Sequence, residues 1–153
     1  MKIFDLLAPE RIMPDLQATN KRGVLEELSK TLIEGSNGLS LQTVMEVLLD
    51  RERLGSTGIG DNIAIPHGKI AQLTELKLSF GRSVKGVDFD SMDGKPSHLF
   101  FLLLAPADSA GLHLKALAKI SRMLMSQSFR ENLMKAAGVE DIYRLIAERD
   151  AEF

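Results

Sequence analysis

Cysteine is absent from this chain of 153 residues. Its absence removes disulfides, thiol nucleophiles and cysteine-built metal sites together, and it fits a reducing compartment. An excess of one charge is absent too. The 19 Lys and Arg residues stand against 21 Asp and Glu, for a formal net charge of -2. The sequence pI is about 5.9, so no nucleic-acid partner is implied. No apolar run approaches a membrane span; the longest, Leu99 to Pro106, is far too short, so no membrane insertion is expected. The segment Met1 to Arg11 has an apolar patch broken by Asp5 and closed by Pro9, without the apolar length of a signal peptide. These features read as a cytoplasmic protein. Repeats, low-complexity segments and linkers are also missing.

What remains is a balanced chain, 44% hydrophobic and 26% charged. That suits one domain, residues 1–153, with a core of ordinary size. Ile12 to Leu16 predicts a first strand, at a sheet edge because of Pro14. Thr19 or Asn20 then offers an N-cap for a helix with Val24, Leu25, Leu28, Leu32 and Ile33 at helical spacing, closed by Gly35 and a Ser36-Asn37-Gly38 loop. Ser40 caps a second helix, striped by Leu41, Val44, Val47 and Leu48, with Arg51 in its last turns and its end near Gly55.

Ile63-Ala64-Ile65 is short and β-prone. Leu76, Leu78 and Phe80 alternate with Lys77 and Ser79, which predicts a half-buried strand. Asp93-Gly94 marks a turn. Leu99 to Leu104 is apolar at every position and reads as a central strand covered on both faces. Pro106 to Gly111 reads as a loop, and a third helix follows through Leu114, Leu117, Ile120 and Leu124. Ser128 and Glu131 suggest a capping box for a fourth helix stopped by Gly138, and Ile142, Leu145 and Ile146 mark a last one. The expected fold class is α/β: a single domain with a mixed central sheet flanked by helices on both sides.

The run from Arg51 to Lys69 carries most of the chemistry. Gly55 to Gly60 has the glycine spacing of a phosphate-cradling loop, but Asp61 and Asn62 stand where that loop needs Lys and then Ser or Thr. An aspartate repels phosphate, and the loop precedes a strand where a P-loop precedes a helix. Nucleotide binding is therefore set aside. The glycines serve tight turns and positive φ, with Gly55 as a helix terminator.

The sequence holds 3 histidines, His67, His98 and His113. No pair has a close ligand spacing, so no metal site is expected. His98 opens the apolar strand and reads as a strand-edge residue facing water. His113 lies in the first turn of the third helix, beyond the C-terminal end of the most buried strand, where ligands of α/β sheets gather. It reads equally as a cap, a satisfied surface residue or a functional ring. His67 has Pro66 fixing the backbone before it and Gly68 opening the far side. A neutral imidazole of pKa about 6.5 is a competent nucleophile at pH 7. No Gly-x-Ser-x-Gly elbow or catalytic triad competes with it. Arg51 reads equally as a helix-end cation complementing the dipole and as a planar fork for two phosphoryl oxygens. At an effective dielectric of about 20, opposite unit charges about 4 Å apart attract by roughly 4 kcal/mol, enough to favour a bound phosphoryl group.

The stretches Ser56-Thr57-Gly58-Ile59-Gly60 and Ile63-Ala64-Ile65-Pro66-His67-Gly68-Lys69 resemble the active-site segment of the type-2 (fructose/mannitol) IIA domain of the bacterial phosphoenolpyruvate-dependent phosphotransferase system, nearest its nitrogen-regulatory branch. The resemblance extends to Val87 to Asp90, Ala105 to Asp108 and His113-Leu114. It implies a mixed sheet flanked by helices, phosphorylation of His67 on Nε2, and Arg51 and His113 around that phosphoryl group. It implies a histidine phosphocarrier protein as upstream donor, and no metal or nucleotide cofactor. Asn62 stands where relatives often have glycine; Asn tolerates left-handed backbone. On this reading Ser56 or Thr57 adds a hydroxyl, and Leu54, Ile59 and Leu112 are either an apolar collar excluding water or ordinary core. The preferred expectation is a phosphocarrier regulating downstream protein targets by its phosphorylation state. The alternatives are a sugar-transporter subunit passing phosphate to a IIB domain, and a binding module without chemistry.

Overall fold

The computed structural model describes residues 2–34 and 38–153. Two 3-10 turns, Ile3–Asp5 and Pro9–Arg11, lead into strand β1, Ile12–Met13. Helix α1 spans Lys21–Ile33 and helix α2 Leu41–Arg53. Strands β2 (Gly58–Gly60), β3 (Ile63–Ala64), β4 (His67–Ile70), β5 (Lys77–Val87) and β6 (Ser97–Pro106) follow. Helices α3 (Ala110–Met123), α4 (Gln127–Lys135) and α5 (Val139–Asp150) complete the chain.

The sheet order is β1-β5-β6-β3-β2, with β4 also paired to β6. It is mixed: β1 is parallel to β5, β5 antiparallel to β6, and β3 and β4 parallel to β6. Strands β3 and β4 follow one another along the same edge of β6, with Ile63 opposite Leu99 and His67 opposite Leu103. The Pro66 carbonyl between them still accepts from the Leu103 amide at 2.9 Å.

Strand β6 is buried throughout its apolar run, and its side chains alternate between two cores. Leu99, Phe101 and Leu103 pack with Ala116, Ile120, Leu133, Ile142 and Ile146 on the side of α3, α4 and α5. Phe100, Leu102 and Leu104 pack with Val24, Leu28, Val44 and Leu48 on the side of α1 and α2. Each such side chain contributes about 1.5–3 kcal/mol by leaving water. The result is the expected α/β arrangement, with helices on both faces. No helix among the described residues is long and apolar enough to cross a membrane.

Asn20 and Ser40 cap α1 and α2 as expected, accepting from the amides of Gly23 and Thr43. The predicted terminator Gly35 and the residues Ser36 and Asn37 lie outside the described residues. Other local expectations change. Strand β5 is not half-buried: Leu78 to Ser83 are all buried, because helices cover both faces. Ser126, not Ser128, caps α4, its hydroxyl accepting from the Phe129 amide at 3.2 Å, while Glu131 bonds Gln127. Gly138 does not stop α4, which ends at Lys135; it precedes α5. Buried Arg82 takes over that end, donating to the carbonyls of Leu133 and Ala136 at 2.9 and 2.7 Å.

The glycine stretch is not all loop. Strands β2 and β3 form an antiparallel hairpin closed by Asp61 and Asn62, at φ 54 and 71. Two consecutive residues with positive φ follow the twist of a two-residue hairpin. Asn62 therefore occupies the left-handed conformation that glycine would take. It also anchors His98, whose Nδ1 lies 2.8 Å from Asn62 Oδ1, so His98 has a side-chain partner and does not simply face water.

Candidate active site

His67 opens β4, immediately after the break at Pro66. The strand end frees its ring from the sheet, and Gly68 makes room behind it. A Cβ on Gly68 would lie 2.5 Å from Val47 Cγ1, so only glycine lets α2 sit this close to β4. His67 Nδ1 lies 2.8 Å from the Ile65 carbonyl oxygen. Burial lowers the His67 pKa below its ordinary value and the Arg51 charge adds to this, against the Ile65 bond and Glu52, which raise it. The ring is thus neutral at pH 7.

His113 stands in the first turn of α3, 5% exposed. Its ring meets that of His67 edge-on, with centroids 5.5 Å apart at 69°. Burial, then the charge that His67 takes up in acid and that of Lys69, lower its pKa to about 4. Its Nε2 is buried without a hydrogen-bond partner among the described residues. Arg51, in the last turn of α2, donates from Nη1 to the Gly55 carbonyl at 2.8 Å. His67, His113 and Arg51 line one cavity of about 660 Å³, together with Val47, Leu54, Lys69, Leu114 and Leu117.

The structure thus brings together three of the five residues singled out in the sequence. It does not bring Ser56 or Thr57 into this cavity. The Ser56 hydroxyl donates to the Phe89 carbonyl and the Thr57 hydroxyl to Glu52. Of the expected collar, Leu54 lines the cavity and is 85% exposed, while Ile59 and Leu112 are exposed and do not line it; none is core. Lys69, Leu114 and Leu117 were missed. Alternation along β4 puts Lys69 on the same face as His67, but only the structure shows that β4 is a strand.

A neutral ring nitrogen, a guanidinium and a second buried imidazole around one opening form a set able to accept, hold and release a phosphoryl group. The profile of the phosphoenolpyruvate-dependent sugar phosphotransferase system, EIIA 2 family matches residues 5–149, and the chain belongs to that family, the phosphocarrier IIA components. Within it, a nitrogen regulatory protein of Bradyrhizobium diazoefficiens is 44% identical over 147 residues, covering 96% of this chain and 95% of that one. The crystal structure of nitrogen regulatory protein IIA-Ntr from Neisseria meningitidis superposes with a TM-score of 0.88 at 36% identity, covering 94% of this chain and 98% of that one. The fructose-specific EIIABC component of Bacillus subtilis is 37% identical over 150 residues, 98% of this chain but 24% of that longer protein.

Proposed function

We propose that His67 Nε2 accepts a phosphoryl group from a phosphorylated histidine phosphocarrier protein, and that the two resulting states of this chain regulate protein targets differently. The observation that carries the reading is the Nδ1 bond to Ile65, 2.8 Å long. A carbonyl oxygen only accepts, so the proton lies on Nδ1 and the lone pair on Nε2. That pair attacks phosphorus in line. The new N–P bond forms as the donor's N–P bond breaks, and the electron pair returns to the donor ring. Arg51 holds the phosphoryl oxygens, and the unpartnered His113 Nε2 supplies a further contact. Neither needs to move a proton, since transfer depends chiefly on position and charge.

The exposed Leu54 and Leu114 at the cavity mouth suit a docking protein that covers the site and keeps water from the phosphoryl group. Phosphorylation then adds a charge of about -1.5 to -2 to that same mouth, which changes the partner chemistry it accepts. Incubation with a phosphoenolpyruvate-charged relay tests the assignment. One acid-labile, base-stable phosphate is expected on wild type and none on His67→Ala; full labelling of that variant refutes it.

The likeness to a fructose-specific component favours a second reading, in which the phosphate passes on to a IIB domain. Dephosphorylation that requires a sugar and a IIB partner supports it. Phosphorylation-dependent capture of a protein target without sugar supports the regulatory role.

A further inference from the structure

We propose that Glu52 is a positioning residue for phosphoryl transfer, pinning the loop whose Gly55 carbonyl aims the Arg51 guanidinium. The inference rests on the reading of His67 and Arg51 given above. Glu52 follows Arg51 on α2, but its side chain is turned into the protein and is 5% exposed. Its Oε1 accepts from Lys21 Nζ at 3.0 Å and from the Thr57 amide at 3.1 Å. Its Oε2 accepts the Thr57 hydroxyl. A buried carboxylate persists only when its oxygens are paired in this way.

The clamp reaches beyond α2. Lys21, on α1, also bridges to Asp90 at 3.3 Å and lies 4.9 Å over the Phe89 ring. Ser56 donates to the carbonyl of the same Phe89 and accepts from the Gly58 amide at 3.0 Å. Residues 56 to 58 are thus fastened to α2 and to segment 89–90. Gly55, between that fastening and the helix end, holds φ 146, a conformation open to glycine, and gives its carbonyl to Arg51. Thr57 belongs to the site through Glu52, not through the phosphoryl group.

The test is a double-mutant cycle on the full chain, measuring transfer from a phosphorylated histidine phosphocarrier to wild type, E52Q, R51K and the double variant. Far-UV circular dichroism and melting check each fold. E52Q is expected to lower the limiting transfer rate about tenfold, with the half-saturating donor concentration unchanged. In the R51K background E52Q is expected to add no further loss, because there is no fork left to aim. T57S keeps the hydroxyl and should transfer near the wild-type rate, whereas T57V should behave as E52Q does. T57V carries the same test should E52Q fail to fold. A wild-type rate in E52Q or T57V, or losses that multiply in the double variant, overturns the inference while leaving an impaired R51K and the active-site reading intact. A wild-type rate in R51K overturns the inference together with the Arg51 fork, and leaves His67 to its own labelling test.

Discussion

The Nδ1–H of His67 donates to the Ile65 carbonyl, two residues back along its own chain, across 2.8 Å. This local bond selects the tautomer and fixes the ring plane without help from another side chain. Burial and Arg51 then lower the pKa, so the nucleophile stays unprotonated where an ordinary imidazole begins to charge. On the proposed reading the nearby guanidinium would serve twice, helping to keep the empty ring neutral and drawing in the phosphoryl oxygens.

Arg51→Lys keeps the charge at the cavity but loses the planar fork. Its limiting rate of transfer to His67 is expected to fall by about tenfold or more, with donor affinity little changed. Rapid-quench kinetics over a range of donor concentrations check this, and an unchanged limiting rate sets the fork aside.

Gly68→Ala forces a methyl group to within 2.5 Å of Val47 Cγ1. Val47 lies one helical turn before Arg51, so pushing α2 off β4 also displaces the guanidinium. The expected cost is about 1–3 kcal/mol in urea unfolding, with slowed transfer. Adding Val47→Ala should recover part of both losses; a Gly68→Ala protein as stable as wild type would show that the contact is not tight.

His113 predicts a pH dependence of stability. Its folded pKa is about 4, below the unfolded value of about 6.5. Between those values the unfolded chain binds the extra proton, so the folded state loses stability as pH falls from about 6.5 and the loss levels off below about 4. At about 1.4 kcal/mol per pKa unit the loss is at most about 3.5 kcal/mol. His67, also depressed, adds to the slope in the same direction. His113→Gln should flatten this part of the profile in melts from pH 7 to 4; an identical slope contradicts the assignment.

The places of His67, Arg51 and His113 were legible because local chain features set them: a Pro-His-Gly break, a helix end and the first turn after a buried strand. The central strand was legible because an unbroken apolar run fits a two-sided burial. What escaped depends on tertiary contact. Strand β4 is too short to signal itself and exists because Leu103 and its neighbours in β6 pair with it. The burial of β5 on both faces comes from helices distant in sequence. Thr57 sits in a motif that suggests phosphate binding, yet its hydroxyl goes to Glu52, which nothing in the spacing announces. The Asp61-Asn62 hairpin lay between these cases: Asn62 was readable as a tolerated left-handed residue, whereas its bond to His98 was not.

The most direct measurement is the intact mass of wild type and His67→Ala after mixing with a phosphoenolpyruvate-charged phosphocarrier relay, followed by ring-nitrogen NMR of the product. One added phosphate is expected on wild type, located on His67 Nε2, and none on the variant. A phosphate on Nδ1, or one retained when His67 is replaced, contradicts His67 Nε2 as the acceptor.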